Sequence, residues 1–388
     1  MSEPASAPTV NGTRAALDAL VERDAIVICC GSGGVGKTTT AAVIAQEAAR
    51  RGRDAVVVTI DPAKRLANAL GLGALSDSPS EVPRALWDPE GSAPASGRLS
   101  ALMLDTKTTF DRLITRYAVG EEQAERILDN SFYRNVSGAL SGTQEYMAME
   151  KLYELHEDGG YEIIVVDTPP TRHALDFLDA PDRLLRMLDN RIFRLLMMPT
   201  RAYLRVASVA VQTFLRTISR VIGSEVVDDI VAFFRAFEGM EAGFRERAAR
   251  VQALLANSGA AFVLVTSPRR DAIDEAQFFA QRLDDDRRSV AALIVNRVHP
   301  AFGTELSEGL RLRADELRDS TLTEPGERLA ALYDNLADFN EIAARERGHL
   351  ADLTTRIGSG AVAYVPFMAH DVHDLAALSE IGDAIFRG

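Results

Sequence analysis

Apolar residues along this chain gather in short unbroken runs separated by longer stretches with helical spacing. Apolar runs of about four to eight residues, bounded by turn-forming residues, mark strands buried on both faces. They occur at 25–30 (AIVICC), 55–60 (AVVVTI), 99–104 (LSALML) and 161–166 (YEIIVV). The pattern resumes at 261–266 (AFVLVT), 290–295 (VAALIV) and 362–365 (VAYV). Residues 39–51 form an Ala-rich helical stretch, and 106–157 are mostly helical in period. Residues 76–97, rich in Pro, Ser and Gly, are expected to form a surface loop. After Pro181 the character changes, and 183–257 shows helices but no strand. Strands alternating with helices predict an α/β fold, a mainly parallel sheet flanked by helices. The block 183–257 is then an inserted helical subdomain, within one domain spanning 21–388.

Composition adds mostly exclusions. The 388 residues are 47% hydrophobic and 26% charged, a globular balance. With 43 Lys+Arg against 56 Asp+Glu the net charge is −13, which argues against a nucleic-acid partner. The only cysteines, Cys29 and Cys30, are adjacent, so neither a disulfide framework nor a paired-cysteine zinc site is expected. Residues 1–20 lack a basic segment followed by an apolar one and read as a flexible tail. No uncharged apolar stretch reaches the roughly 18 residues of a membrane span. A cytoplasmic location is expected, with peripheral membrane association left open.

The candidate chemistry begins at Gly31-Ser32-Gly33-Gly34-Val35-Gly36-Lys37-Thr38, which fits G-x-x-x-x-G-K-[ST] between a strand and a helix. Glycines let backbone N–H groups converge on an anion, and the following helix adds its positive end. Lys37 is expected at the β- and γ-phosphates, and the Thr38 hydroxyl on Mg²⁺. Three strand ends carry Asp: Asp61, Asp105 and Asp167. A carboxylate there reaches a magnesium ion or its waters, although any single one could cap a helix instead. Asp105 is the weakest candidate, because its strand is the least apolar.

GSGGVGKTTT at 31–40, IDPAKRLANALG at 60–71 and DTPPTRHALDFL at 167–178 together resemble the phosphate loop and two switches of the ArsA-type ATPases. These are P-loop NTPases of the deviant Walker A class, including arsenite-pump ATPases and the ATPases that target tail-anchored membrane proteins. FVLVTSPRRDAIDEAQ at 262–277 and LIVNRVHP at 293–300 extend the likeness. The resemblance implies Mg²⁺-dependent ATP hydrolysis, with Asp61 orienting the attacking water, Lys37 on the phosphates and Asp167 holding Mg²⁺ through water. Gly33, Gly34, Val35, Gly36, Thr38 and Thr39 would surround the phosphates, Asn296 and Pro366 would meet adenine, and His173 would report nucleotide state. It also implies a nucleotide-sandwich dimer, either a homodimer or a heterodimer with a paralogous ATPase subunit.

There are departures. The family's loop carries a lysine that reaches the partner's phosphates, and here that position is Ser32. A cation of that kind is worth about 10³ or more in rate, so Ser32 implies slow hydrolysis or a partner that supplies the lysine. Lys64, Arg65 and Arg172 are the nearby cations that could compensate. Lys64 itself replaces a family His. No cysteine lies outside 29 and 30, so the metalloid thiol site and the dimer-bridging zinc motif are both missing.

Residues 191–223 hold six Arg and no Asp, Glu or Lys. Their apolar positions share one helical face, opposite Arg205, Arg216 and Arg220. Such a segment serves as a core-facing helix, or as a site for a hydrophobic client or membrane partner. His370 and His373 form H-x-x-H without an accompanying carboxylate scaffold, so no metal is assigned there. The rival readings are a low-turnover nucleotide-binding regulatory subunit and a MinD- or ParA-like positioning ATPase.

Overall fold

A computed structural model describes residues 10–23, 25–61, 65–136, 143–158, 160–169, 173–190, 223–256, 260–320, 324–357, 361–368 and 375–387. Its strands are β1 (Ala25–Cys30), β2 (Asp54–Thr59), β3 (Ser80–Glu81), β4 (Arg98–Met103), β5 (Ile163–Asp167), β6 (Ala260–Thr266), β7 (Val290–Val298) and β8 (Ala361–Pro366). They form one sheet in the order β3-β4-β2-β5-β1-β6-β7-β8, parallel except for the short edge strand β3. The seven expected strands are all present, within two or three residues of the expected ends. β1 lies at the centre, between β5 and β6, so its C-terminal end opens where the chain order reverses. In open α/β sheets ligands bind at such a switch point.

Burial on both faces explains the unbroken apolar runs. Val27 and Cys29 point into one core with the helices Lys37–Arg50 and Leu375–Phe386. Ile26, Ile28 and Cys30 point into the other, against Thr143–Asp158, Arg270–Asp285 and Glu324–Ile357. A third core, rich in Phe and Tyr, joins the helices between 106 and 158 to Ser224–Ala236 and Glu241–Ala256. Of the block 183–257, the described residues 183–190 and 223–256 are mostly helical and contribute Leu188, Phe233, Phe237 and Phe244 to this core.

Three expectations change. The tail assigned to 1–20 overlaps a helix, Val10–Glu22, that buries Leu17, Leu20 and Val21. Arg51 and Arg53 anchor it, the first through Asp18 at 2.6 Å and the second through the Val21 carbonyl at 3.1 Å. The surface loop at 76–97 contains β3 and the short helix Arg84–Trp87. Trp87 is buried, its indole N–H donates to Val82 O, and its carbonyl accepts from Gln46 and Arg50. Polar composition marked a loop, but one large aromatic side chain tethers it. Finally, the change of character expected after Pro181 is not an element boundary: the helix His173–Asp189 runs through that residue.

Candidate functional site

The loop at 31–38 leaves the C-terminal end of β1 and runs into the helix Lys37–Arg50. Gly31 and Gly36 take φ of 151° and 98°. A Cβ at Gly31 would lie 2.0 Å from the Val265 carbonyl oxygen, and one at Gly36 would lie 2.2 Å from Asn296 Nδ2. Both positions need glycine for the backbone and for the close approach. Gly36 caps the helix with no side-chain bond, so the positive helix end faces the loop. The Lys37 ammonium folds back and donates to Ser32 O at 2.8 Å. Burial lowers its pKa, while Asp167 and Asp61 act to raise it.

Asp167 ends β5 beside the loop and is almost wholly buried. Its Oδ2 accepts from Thr38 Oγ1 at 2.7 Å and from Thr59 Oγ1 at 2.9 Å, while Oδ1 is buried with no hydrogen-bond partner. Burial raises the Asp167 pKa, against the two threonine hydrogen bonds and the Lys37 charge. Because the Thr38 hydroxyl gives its proton to Asp167, its lone pairs are left for a cation. A threonine oxygen beside an orphaned carboxylate oxygen is a hard donor set, and it fits Mg²⁺.

Asp61 follows β2, is half-buried, and acts electrostatically on both Lys37 and Asp167. Its backbone N–H donates to Thr59 Oγ1 at 3.2 Å. Lys37, Thr38, Asp61 and Asp167 therefore converge. Thr39 is half-buried in the first helical turn. Asp105 stays away: its carboxylate caps Thr106–Tyr117 by accepting from Thr108 N at 2.9 Å. Arg65 is exposed at the start of a short helix that buries Leu66, Ala67 and Ala69, while Lys64 and Arg172 lie outside the described residues. His173 is the first residue of its helix, and His370 and His373 lie outside the described residues.

At the other end of the loop, Asn296 Nδ2 donates to Val35 O at 2.8 Å, tying β7 to the loop backbone. Pro366 ends β8 and is exposed. Its neighbour Phe367 lines a pocket of about 410 Å³ together with Ser32, Gly33, Gly34, Arg297 and His299. The Phe367 and His299 rings are near parallel, at 10°, with centroids 5.8 Å apart. The pocket lies within the size range of small-ligand sites.

The loop at 31–38 and the Thr38–Asp167 pair both lie within the stretch that a family model matches. A family model described as "Anion-transporting ATPase" matches residues 24–315. The chain belongs to the anion-transporting ATPase family. It is 28% identical to the "ATPase GET3" of Malassezia globosa over 162 residues, 42% of this chain and 44% of that protein. It is 30% identical to the "Putative arsenical pump-driving ATPase" of Halobacterium salinarum over 172 residues, 42% of this chain and 24% of that protein. The chain thus spans less than half the length of these relatives.

At this site, sequence reasoning missed Thr59 and Thr168. Thr59 braces Asp167, and Thr168 Oγ1 donates to Cys29 O at 2.7 Å, stitching the end of β5 to β1. The available signal was a Thr beside each strand-end Asp, in T-I-D at 59–61 and D-T-P at 167–169. Cys29 and Cys30 lie in the core, where burial holds both thiols protonated and pushes Cys30 up to about 12. Among the described residues, no helix is long and apolar enough to cross a membrane.

Proposed function

We propose that this chain binds ATP with Mg²⁺ at the loop 31–38 and hydrolyses it. The observation that carries the reading is the Thr38–Asp167–Thr59 set, with the orphaned oxygen of its buried carboxylate near Lys37. The converging backbone N–H groups of Gly33 to Thr38 bind the phosphates, and Lys37 exchanges its Ser32 carbonyl for them. Thr38 and Asp167 would hold the metal. Mg²⁺, when bound, neutralises charge on the β- and γ-phosphate oxygens. Asp61 orients the attacking water in line with the γ-phosphate, a positioning role suited to phosphoryl transfer. Asn296 and Pro366 face the adenine.

Steady-state ATP hydrolysis by the purified chain, with Asp61→Asn as control, tests this. Turnover that disappears in the variant supports a self-sufficient ATPase. A second reading, a nucleotide-binding subunit with little turnover of its own, is favoured by Ser32 at the family's lysine position. Tight ATP binding without turnover selects it.

The family relation supports a dimer, homomeric or with a paralogous subunit, whose closure on ATP is passed to the helical insertion. There the basic amphipathic segment 191–223, all but its last residue outside the described residues, would hold a hydrophobic client or membrane partner. The buried, protonated cysteines favour this over a metalloid thiol site, since the thiolate is the metal-binding form. Crosslinking through 191–223 that does not respond to nucleotide would remove the client-coupling step.

A further inference from the structure

β7 and β8 lose register between Val295 and Val298. Such irregularities re-aim side chains near functional sites. The two residues within it, Asn296 and Arg297, hydrogen-bond successive carbonyls of the phosphate loop. Asn296 Nδ2 donates to Val35 O at 2.8 Å, and the Arg297 guanidinium donates to Gly34 O at 3.2 Å. Arg297 has a φ of 61°, a left-handed conformation that long side chains rarely adopt. The strained backbone therefore sets a cation on the exposed lip of the loop.

Ser32 supplies a second, independent observation. It is 8% exposed, lines the same pocket, and its Oγ is buried with no hydrogen-bond partner. The other charges at the pocket wall are largely engaged: Arg269 with Asp271 at 2.5 Å, and Glu346 with His299 at 2.7 Å. Glu275 is the remaining acid. A guanidinium has five donors in a planar fork, and among the described residues Arg297 spends one on Gly34.

We propose that Arg297 and Ser32 form a second anion contact on the phosphate loop, binding the β- or γ-phosphate of the nucleotide. This rests on the loop being the ATP site, and it places within this chain a cation that Ser32 does not carry. Arg297 is then a binding residue, and Lys37 is one of two cations on the polyphosphate.

The test is calorimetric titration of ATP and AMP into the wild-type chain and the variants R297Q, R297K, R297G, S32A and K37A. Thermal midpoints check folding. R297G is the safeguard, because it removes the charge while relieving the left-handed backbone. The expected result is loss of ATP affinity by about tenfold or more in R297Q and R297G, the scale of a charge-assisted hydrogen bond. AMP affinity should change much less, R297K should recover part of the loss, and S32A should show a smaller loss. Wild-type ATP affinity in R297Q and R297G, with K37A defective, overturns the inference and leaves the ATP reading standing. An equal loss for ATP and AMP overturns it too, since it marks a loop support rather than a phosphate contact. A wild-type chain that binds no ATP overturns both.

Discussion

Asp167 carries the sharpest residue-scale consequences. Burial raises its pKa, so the folded state holds the neutral form more readily than the unfolded chain does. The stability this contributes is fully present below the unfolded pKa and is lost as pH rises through the folded one. In chelator, the thermal midpoint is therefore expected to fall as pH rises through that window, and D167N, which is permanently neutral, should lack the trend. Magnesium needs the ionised carboxylate, so stabilisation by Mg²⁺ should fade on acidification at a higher pH than for an ordinary aspartate. Thermal scans against pH, with and without Mg²⁺, check both signs. Asp61 makes the complementary prediction. D61N should retain ATP binding within a few fold and lose turnover by about 10² or more, the scale of a positioned group acting on the attacking water. A parallel loss of affinity would place Asp61 on the phosphates instead.

At the scale of elements, two pieces that composition assigned to solvent belong to the core. The helix Val10–Glu22 buries Leu20 against the sheet, so L20A should destabilise by about 2–5 kcal/mol in denaturant titration. An effect within about 0.5 kcal/mol, typical of surface sites, would return this segment to a loose tail. Trp87 predicts the same for 76–97, since W87A removes a buried indole and should cost about 3–5 kcal/mol. The side-chain bond it removes is the one from the indole N–H to Val82 O, since Gln46 and Arg50 hold the main-chain carbonyl of residue 87, which the variant keeps. The strands other than β3, by contrast, were legible to within two or three residues. A strand buried on both faces has to be apolar at every position, and that requirement is written locally.

At the scale of the whole molecule, the helix Thr143–Asp158, packed on the sheet, meets the helix Glu241–Ala256 through a buried ion pair. Arg247 and Glu150 are each 4% exposed or less, hydrogen-bonded at 2.6 Å, and Arg247 stacks on Tyr153 with its guanidinium 3.8 Å from the ring centroid. R247A strands a carboxylate in the interior and should cost about 3–5 kcal/mol, whereas an apolar replacement of both partners should recover much of it. A double-mutant cycle in urea measures that difference. The sequence by itself determined the alternation of strand and helix, the glycine-rich loop between β1 and its helix, and the carboxylates at three strand ends. Each follows from a local requirement: full burial, a glycine-dependent turn, or a charged group at a strand end. Only the tertiary structure decided the rest. It sent Asp105 to a helix cap, put Thr59 behind Asp167, drew Trp87 inward, and set Arg297 on the loop. Those outcomes depend on which strands become neighbours and where a register shift falls. Partners more than a hundred residues apart in the chain, such as Thr59 and Asp167, or Gly34 and Arg297, leave no trace in local spacing.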